Sequence, residues 1–277
     1  MIGTRGMQGG IIVRQGMRLL AGLLLGAAAL AAGGCQNSAG KAELDRGYTS
    51  LEQNRHNEAM AAADRYLQQH PTGDGVANAM YLRGRAIEQR VKRNDAEANA
   101  NLRDAKAHYL KALQLSPSRA LESYIYTSLG NVCYWLDDYP AATSYWRAAY
   151  ERLDNNDLKG WVLYRTGLCQ QRVAQWGEAD RTFAQVQQEF QGTEAAGRAR
   201  AHQGYRAFYV QIAAFQNPTS AERLVTGLRS QGFPMFRQAR PDKNLHVVMA
   251  GPMRTYADAV AARDRLRSQY KDALVLP

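Results

Sequence analysis

The stretch that decides the fold of the C-terminal part of the chain is residues 207–215, Ala-Phe-Tyr-Val-Gln-Ile-Ala-Ala-Phe. Its β-branched and aromatic residues and its alternation are typical of a half-buried strand. Because successive side chains of a strand point to opposite faces, Tyr209, Gln211 and Ala213 are predicted to share one face. The other face is predicted to carry apolar side chains such as Val210. The first face offers a phenol and an amide, which stack on and hydrogen-bond to a flat polar ligand.

The strand is predicted to turn directly into a helix. Residues 217–222, Asn-Pro-Thr-Ser-Ala-Glu, follow it immediately. Thr219 and Glu222 have the spacing of a capping box. Pro218 stands at the entrance, where a helix tolerates the missing backbone N–H.

A second strand-and-helix signature stands nearer the C-terminus. Residues 245–252, Leu-His-Val-Val-Met-Ala-Gly-Pro, are followed by residues 255–259, Thr-Tyr-Ala-Asp-Ala. In their order and spacing, the two signatures make residues 206–277 resemble the SPOR (sporulation-related repeat) domain family. The resemblance implies a small βαββαβ domain that binds the glycan strands of peptidoglycan.

The elements of this domain are predicted along the chain as follows. Strands are expected at residues 207–213, 233–239, 245–250 and 273–276, and helices at residues 219–231 and 255–270. One core between sheet and helices is expected from Val210, Ile212, Leu224, Leu228, Val248, Ala250, Leu266 and Val275. The opposite face of the sheet is then predicted to be free.

In the SPOR family, that free face is where the glycan lies. The resemblance assigns the glutamine of the first signature to Gln211 and the small residue three positions later to Ala214. The predicted peptidoglycan-binding residues are Tyr209, Gln211, Ala214, Leu245, Val247 and Met249. The family often has an aromatic residue and an arginine on the third strand, where this chain has Leu245 or His246, and Val247.

These assignments compete with plainer structural interpretations. A glutamine at position 211 is also typical of a solvent-exposed strand residue that binds no ligand. Val247 and Met249 are also typical of residues that pack beneath a loop or against the last helix of the preceding domain. The facing of Phe236 and Arg237 on the second strand stays open.

The first 34 residues have the organisation of a secretory signal. They contain three arginines and no acidic residue, and an Ala- and Leu-rich stretch, residues 19–32, precedes two glycines and Cys35. This apolar stretch is shorter than the roughly 20 residues that a membrane-spanning helix needs. Small residues directly before a cysteine resemble a bacterial lipobox. The resemblance implies that Cys35 becomes the lipid-bearing first residue of the mature protein.

The residues after this cysteine give the predicted location. In the Gram-negative lipoproteins that this motif resembles, a residue other than aspartate after the cysteine, here Gln36, implies sorting to the outer membrane, with the protein facing the periplasm. Several acyl chains on one residue give firm anchoring, whereas a single chain is marginal. Residues 35–41 are interpreted as a lipid-anchored tether. Met1 and Met17 both remain candidates for the true start.

Residues 42–205 are predicted to form an array of helical repeats. A glycine recurs once in each unit, at Gly47, Gly84, Gly130 and Gly167. Alanine and aromatic residues follow these glycines at related spacings. The pattern resembles the tetratricopeptide repeat, in which a small residue in the first helix lets the second approach closely. The resemblance implies four helix pairs stacked into a solenoid that offers a surface to a protein partner.

Three details of the array are also predicted. Residues 91–99 are an extra polar stretch in the second unit, which either extends a helix or forms a loop. Residues 193–204 are expected to form a helix that caps the array. Most of the aromatic residues are expected in the core between repeats, although Tyr134 or Trp135 is an alternative candidate for lining a ligand groove.

Basic residues are concentrated toward the C-terminus. The whole chain has a formal net charge of +10, and residues 206–277 hold eleven Lys and Arg against five Asp and Glu, a net charge of +6. This excess favours an anionic or polar polymer as the partner of the C-terminal domain. The export signal favours the cell wall and argues against nucleic acid.

The sequence contains no pattern of a known catalytic site. We find no nucleophile elbow, phosphate loop or metal-binding cluster, and the five histidines are scattered singly. Asp137 and Asp138 are interpreted as residues of a solvated turn. Cys133 and Cys169 are either buried thiols or a disulfide. No enzyme activity, cofactor or metal is expected.

The predicted fold class is therefore a two-domain α + α/β protein, an α-solenoid of tetratricopeptide-like helix pairs followed by a βαββαβ SPOR-like domain. The protein is predicted to be a non-enzymatic adaptor of the cell envelope that binds glycan strands and a protein partner. Division septa, where denuded glycan strands occur, are one site at which it could act. The alternative is a structural outer-membrane assembly lipoprotein whose sheet packs on protein and binds no glycan.

Overall fold

The computed structural model describes residues 38–73 and 75–277. The predicted signal peptide, both candidate start residues and Cys35 lie outside the described residues. Within the described part of the chain, no helix is long and apolar enough to cross a membrane.

The described chain forms two compact units. One consists of residues 38–170 and 179–201, and the other of residues 171–178 and 202–277. The first unit is built of helices, and the second contains the sheet.

The repeat part is a succession of helix pairs closed by a single helix. Its helices are α1 Ser38–Glu52, α2 His56–Gln69, α3 Gly75–Gln89, α4 Asp95–Gln114, α5 Arg119–Trp135, α6 Tyr139–Tyr150, α7 Asn156–Arg172, α8 Trp176–Glu189 and α9 Glu194–His202. The pairs are α1 with α2, α3 with α4, α5 with α6 and α7 with α8. This confirms the predicted array of helical repeats, and α9 lies where the capping helix was expected.

A contact between glycine and a large ring recurs inside these pairs. It joins Gly84 to Tyr109, Gly130 to Trp146 and Gly167 to Phe183. A Cβ atom built on Gly130 would lie 2.7 Å from Cγ of Trp146 and nearer still to Cδ1 and Nε1. The three rings are fully buried. The close approach of the paired helices therefore depends on the missing side chains of these glycines.

The extra stretch of the second unit forms both a loop and a helix extension. Helix α4 begins at Asp95 and is 20 residues long. The side chain of Asn94 caps it by accepting a hydrogen bond from the backbone N–H of Glu97 at 2.8 Å. Val91, in the preceding loop, is 78% exposed.

The start of α1 lies inside the segment that was predicted to be a tether. Gly40 is buried, and a Cβ atom built on it would lie 3.0 Å from Nε2 of His70 and 3.1 Å from Cε2 of Tyr66. Glu43 and Leu44 are also buried. These contacts with the end of α2 explain why the helix begins before residue 42.

The aromatic residues of the array are mostly packed inside it. Trp146, Trp161 and Tyr164 are buried. Tyr134 and Trp135 are half-buried, and their rings meet edge to face at a centroid distance of 5.6 Å.

The sheet unit has the predicted βαββαβ order. Its elements are β1 Phe208–Phe215, α10 Pro218–Arg229, β2 Met235–Arg240, a 3-10 turn Pro241–Lys243, β3 Leu245–Met253, α11 Tyr256–Arg267 and β4 Leu274–Leu276. The strands lie in the order β2-β3-β1-β4, and each neighbouring pair is antiparallel. β3 begins and β4 ends at the predicted residue, and the other bounds differ from the predicted ones by one to three residues, because hydrogen bonding rather than pattern decides where an element ends.

The core lies between the sheet and both helices. The predicted core is confirmed, with Val210, Ile212, Leu228, Val248, Ala250 and Leu266 buried and Leu224 and Val275 packed against them. Ala221 and Val225 of α10 and Ala259 of α11 join this core. Since both helices pack on the same side, the other side of the sheet carries no helix of this unit among the described residues.

The cap of α10 differs from the predicted capping box. The side-chain oxygen of Asn217 accepts hydrogen bonds from the backbone N–H groups of Thr219 at 2.8 Å and Ser220 at 3.4 Å. Glu222 instead lies 3.3 Å from the guanidinium of Arg237. The capping-box prediction was wrong because an asparagine one position before the proline satisfies the exposed N–H groups first.

Residues 171–178 complete the sheet unit. The ring of Trp176 packs against the core, with its centroid 4.8 Å from that of Phe208. The guanidinium of Arg172 lies 4.0 Å from the ring centroid of Tyr256. Both contacts fall at the edge where β1 begins and α11 starts.

Candidate functional site

One extra residue in β1 decides which side chains share the outer face of the sheet. Gln211 pairs with Met249, and Ala213 pairs with the adjacent Val248. Ile212 is therefore the additional residue of a β-bulge, at which the two-residue alternation of the strand is interrupted.

The bulge brings Gln211 and Ala214 to one face. Residues three positions apart on a regular strand point to opposite sides, but here both lie on the side away from the helices, where Ala214 pairs with Val247. Ala213 was predicted on this face, and that prediction was wrong. Ala213 lies on the helix side of the sheet, where it packs against the core. The prediction failed because it assumed strict alternation, which the bulge interrupts.

Two aromatic rings meet over the middle strand of this face. A Cβ atom built on Gly251 would lie 2.7 Å from Cδ1 of Tyr209, so the Tyr209 ring lies over the glycine. Phe236 pairs with Met249, and its ring centroid is 5.7 Å from that of Tyr209, edge to face. Because β1 and β2 flank β3, the two rings reach toward each other across β3 and cover Met249, which is 4% exposed.

The structure brings all six predicted residues to the same face, with different exposure. Tyr209, Gln211 and Leu245 are half-buried, and Ala214 is exposed. Val247 and Met249 are 6% and 4% exposed. The last two therefore form the floor of the face and offer little surface to a ligand.

Several residues of the face were not singled out from the sequence. Phe236, whose facing had been left open, lies on it. Gln238 and Arg240 follow at two-residue spacing on β2, opposite Val247 and Leu245. On β4, Leu274 pairs with Gln211 and Leu276 with Tyr209. The two-residue spacing from Phe236 was the signal that would have found the residues of β2.

The second open residue, Arg237, belongs to the helix side. Its Nε lies 3.3 Å from Oε2 of Glu222 on α10, and its Nη1 lies 2.8 Å from Nδ1 of His246. Its charge is therefore paired away from the outer face. Of the residues that face outward on the four described strands, Arg240 is the charged one.

A buried arginine marks a second candidate site, in the repeats. Arg165 on α7 is 5% exposed, and its Nη1 donates a hydrogen bond to Oδ1 of Asn131 on α5 at 2.6 Å. The guanidinium carbon lies 5.9 Å from the ring centroid of Trp146. Burial lowers the pKa of Arg165 to about 10. A strongly shifted, buried cation is more frequent at binding and catalytic sites than elsewhere.

Polar side chains also link the first helices of earlier pairs. Tyr48 on α1 donates to the carbonyl oxygen of Asn78 on α3 at 3.3 Å. Tyr81 on α3 and Ser128 on α5 lie 3.4 Å apart at their hydroxyl oxygens. Together with the Arg165 contact, these bonds run from α1 to α7 along the first helices of the pairs.

We expect Arg165→Met to stabilise the protein, raising the free energy of unfolding by about 1–2 kcal/mol. The reason is that removing an unneutralised guanidinium from water is more unfavourable than its hydrogen bond to Asn131 is favourable. The pKa of Arg165 is lower in the folded protein than in the unfolded chain, so the unfolded chain holds this proton more tightly. The stability of the wild-type protein therefore rises as pH increases above about 10. The full destabilisation by the buried charge of Arg165 is therefore present at pH 7. Urea denaturation at neutral pH measures it, with the exposed Arg147→Met as control. A loss of stability beyond that of the control contradicts this prediction.

Two family models match the chain. The first, described as outer membrane lipoprotein (YfiO), covers residues 35–199, which is more than half of the sequence. The chain belongs to this family. The second, the SPOR domain, covers residues 204–277 and encloses both signatures of the C-terminal part. The predicted combination of an outer membrane lipoprotein, helical repeats and a SPOR domain is confirmed. No curated protein matches the chain.

The two families and the carboxylate pair of the repeats bear on the kind of protein this is. Both families are of binding or adaptor types. The side chain of Asp138 caps α6 by accepting from the N–H of Ala141 at 3.3 Å, and Asp137 accepts from the hydroxyl of Tyr139 at 2.6 Å. These carboxylates organise a turn. Among the described residues, no group of three His, Cys, Asp or Glu side chains is placed to hold a metal ion.

Cys133 and Cys169 are both buried thiols, and no disulfide joins them. Both lie among the repeats, on α5 and α7. This agrees with the first of the two interpretations of these cysteines.

Proposed function

We propose that the protein is a lipid-anchored adaptor of the cell envelope that binds peptidoglycan glycan strands through the outer face of its SPOR domain. Lipid on Cys35 holds it in the outer membrane, and both domains face the periplasm. The observation that supports this proposal best is the bulge, which sets Gln211 and Ala214 beside Tyr209 on the side of the sheet that no described helix of this unit covers. The adaptor performs no catalysis and needs no cofactor.

The exposed groups of the face suit a sugar polymer. The half-buried rings of Tyr209 and Phe236 present apolar surface to the axial C–H groups of a pyranose. The amide of Gln211 supplies both a donor and an acceptor for hydroxyl and N-acetyl groups. Ala214 projects only a methyl group, so a strand can lie close to β1 there. Stem peptides would interfere with such a flat approach, and denuded strands, such as those at division septa, are the proposed ligand.

We expect Tyr209→Ala and Gln211→Ala each to weaken binding to denuded strands about tenfold, which corresponds to about 1.4 kcal/mol. The ring loses its stacking surface and the amide loses its hydrogen bonds. The measurement is co-sedimentation of the mature protein, in detergent, with purified sacculi before and after amidase treatment. Wild type should bind better after amidase has removed the stem peptides.

The matched control is Gln231→Ala, since Gln231 is an exposed amide beyond the end of α10. It should bind as wild type does. Unchanged binding in both test variants would move the site to another surface.

The second candidate is a structural outer-membrane assembly lipoprotein whose sheet packs on protein. The family match over residues 35–199 favours it, and the buried Val247 and Met249 give the face an apolar floor. Failure of the wild-type protein to bind sacculi in either state would select this candidate.

The repeats are proposed to bind a protein partner near Arg165. The buried guanidinium and the hydrogen bonds that run along the first helices support this location. Envelope proteins that co-purify with wild type should be lost with Arg165→Met and kept with Arg147→Met. Glycan binding should be the same in all three proteins. A partner retained by Arg165→Met would place the contact elsewhere on the array.

A further inference from the structure

The outer face of the sheet carries almost no charge, although the SPOR part of the chain is strongly basic. Residues 206–277 have a net charge of +6. Apart from Arg240, the side chains that face outward on the four strands are aromatic, aliphatic or carboxamide. Most basic residues of the domain therefore lie outside the outward-facing positions of these strands.

Contacts place three of the basic side chains of this domain, Arg229, Arg237 and Arg263. Arg237 pairs with Glu222 on the helix side at 3.3 Å. Arg263 on α11 lies 2.8 Å from a carboxylate oxygen of Asp264. Arg229 on α10 donates to the carbonyl oxygen of Met235 at 2.8 Å. Since α10 and α11 pack on the opposite side of the sheet, none of these guanidinium groups faces a ligand on the outer face.

The cation at the outward-facing positions of the four described strands, Arg240, is far from the aromatic pair. Arg240 follows Phe236 by four residues on β2, which at about 3.3 Å per residue is about 13 Å along the strand. It pairs with Leu245 at the end of the sheet. A carboxylate on a sugar that stacks on Tyr209 and Phe236 therefore has no outward-facing cation of the four described strands within hydrogen-bonding distance. Desolvating a carboxylate without such a partner is unfavourable.

The side-chain amides of Gln211 and Gln238 are placed to form hydrogen bonds with uncharged substituents of a ligand. Gln211 lies level with Met249 on one side of β3, and Gln238 lies level with Val247 on the other. Two strand spacings across and two residues along put their backbones about 12 Å apart. Each amide can donate to one polar group and accept from another, as an N-acetyl group requires. Two amides at this separation contact different sugars of one chain.

We propose that this face recognises the sugar rings and N-acetyl groups of the glycan and makes no use of the lactyl carboxylate of its muramyl residues. The ligand class is then a neutral β-1,4-linked N-acetylglucosamine polymer, of which denuded peptidoglycan is the acidic variant. Chitin oligosaccharides bind to the same face. This inference rests on the proposed glycan-binding function.

The test compares two ligands on the mature wild-type protein in detergent by calorimetric titration. They are the hexasaccharide of N-acetylglucosamine and amidase-treated peptidoglycan strands of similar length. Dissociation constants should agree within about threefold, and neither should change more than about threefold between about 50 mM and about 500 mM NaCl, since no exposed ion pair is formed. Gln238→Ala should weaken both ligands alike, and Arg240→Gln should leave both unchanged.

The outcomes separate this inference from the proposed function. If peptidoglycan strands bind and the chitin hexasaccharide does not, the inference is overturned while the proposed function stands. The inference is likewise overturned if strand binding is lost at high salt or in Arg240→Gln, because a carboxylate contact would then be in use. If neither ligand binds, the proposed function itself fails.

Discussion

Replacing Gly130 with alanine should lower the free energy of unfolding of the repeat unit by about 3 kcal/mol, the upper part of the range for overpacked cores. The new Cβ atom would lie 2.7 Å from Cγ of Trp146 and closer to two further ring atoms. The ring is fully buried, and its Nε1 donates to the carbonyl oxygen of Thr127 at 3.2 Å. Helix or ring must therefore move, and either movement breaks packed contacts. Urea denaturation followed by circular dichroism measures the loss.

Gly197→Ala is the control for this prediction. Gly197 lies within α9 and is exposed, and no atom lies within 4 Å of a Cβ atom built on it. Alanine there should raise stability by about 0.5–1 kcal/mol through helix propensity. Trp146→Phe combined with Gly130→Ala should recover part of the loss because the smaller ring leaves space. Equal effects of Gly130→Ala and Gly197→Ala would contradict the packing explanation.

Gly251→Ala should damage the sheet and its outer face together. The residue has a φ of +139°, and a Cβ atom there would lie 2.7 Å from Cδ1 of Tyr209 and 3.0 Å from the carbonyl oxygen of Phe208. Backbone strain of about 1–3 kcal/mol is expected from this conformation alone. The Tyr209 ring must also leave its place beside Phe236. We expect affinity for denuded strands to fall at least about tenfold, or about 1.4 kcal/mol.

Thermal denaturation and titration with denuded strands measure the two effects separately. Gly232→Ala is the matched control, since its φ is +84° and no atom lies within 4 Å of the added Cβ. It should cost about 1 kcal/mol of stability through strain and leave glycan affinity unchanged. Full affinity in Gly251→Ala would show that the position of the Tyr209 ring is unimportant for binding.

The parts of the fold that could be predicted are those written in local patterns. Gly84, Gly130 and Gly167 mark the repeats because each helix pair needs a small residue at one place. The apolar residues of β1 and β3 likewise identify the sheet, because alternation is a property of neighbouring residues. These signals also gave six residues that the structure collects on one face.

The parts that could not be predicted depend on contacts between distant residues. The bulge at Ile212 is defined by the pairing of β1 with β3, and the sequence of residues 207–215 alone does not indicate it. The facing of Phe236 follows from the same pairing. Membership of residues 171–178 in the sheet unit depends on Trp176 meeting Phe208, which is far away in the chain. Such features require the fold to be known before they can be found.

The bulge has a consequence for how related sequences are compared. If Ile212 were absent, the alternation would be unbroken in this part of β1, and its glutamine and its second alanine would still point outward, two positions apart instead of three. A spacing of three with a bulge and a spacing of two without one are thus geometrically equivalent. A motif search that fixes the interval would reject proteins presenting the same two groups. Gaps of a single residue at this point should be read as neutral length variation.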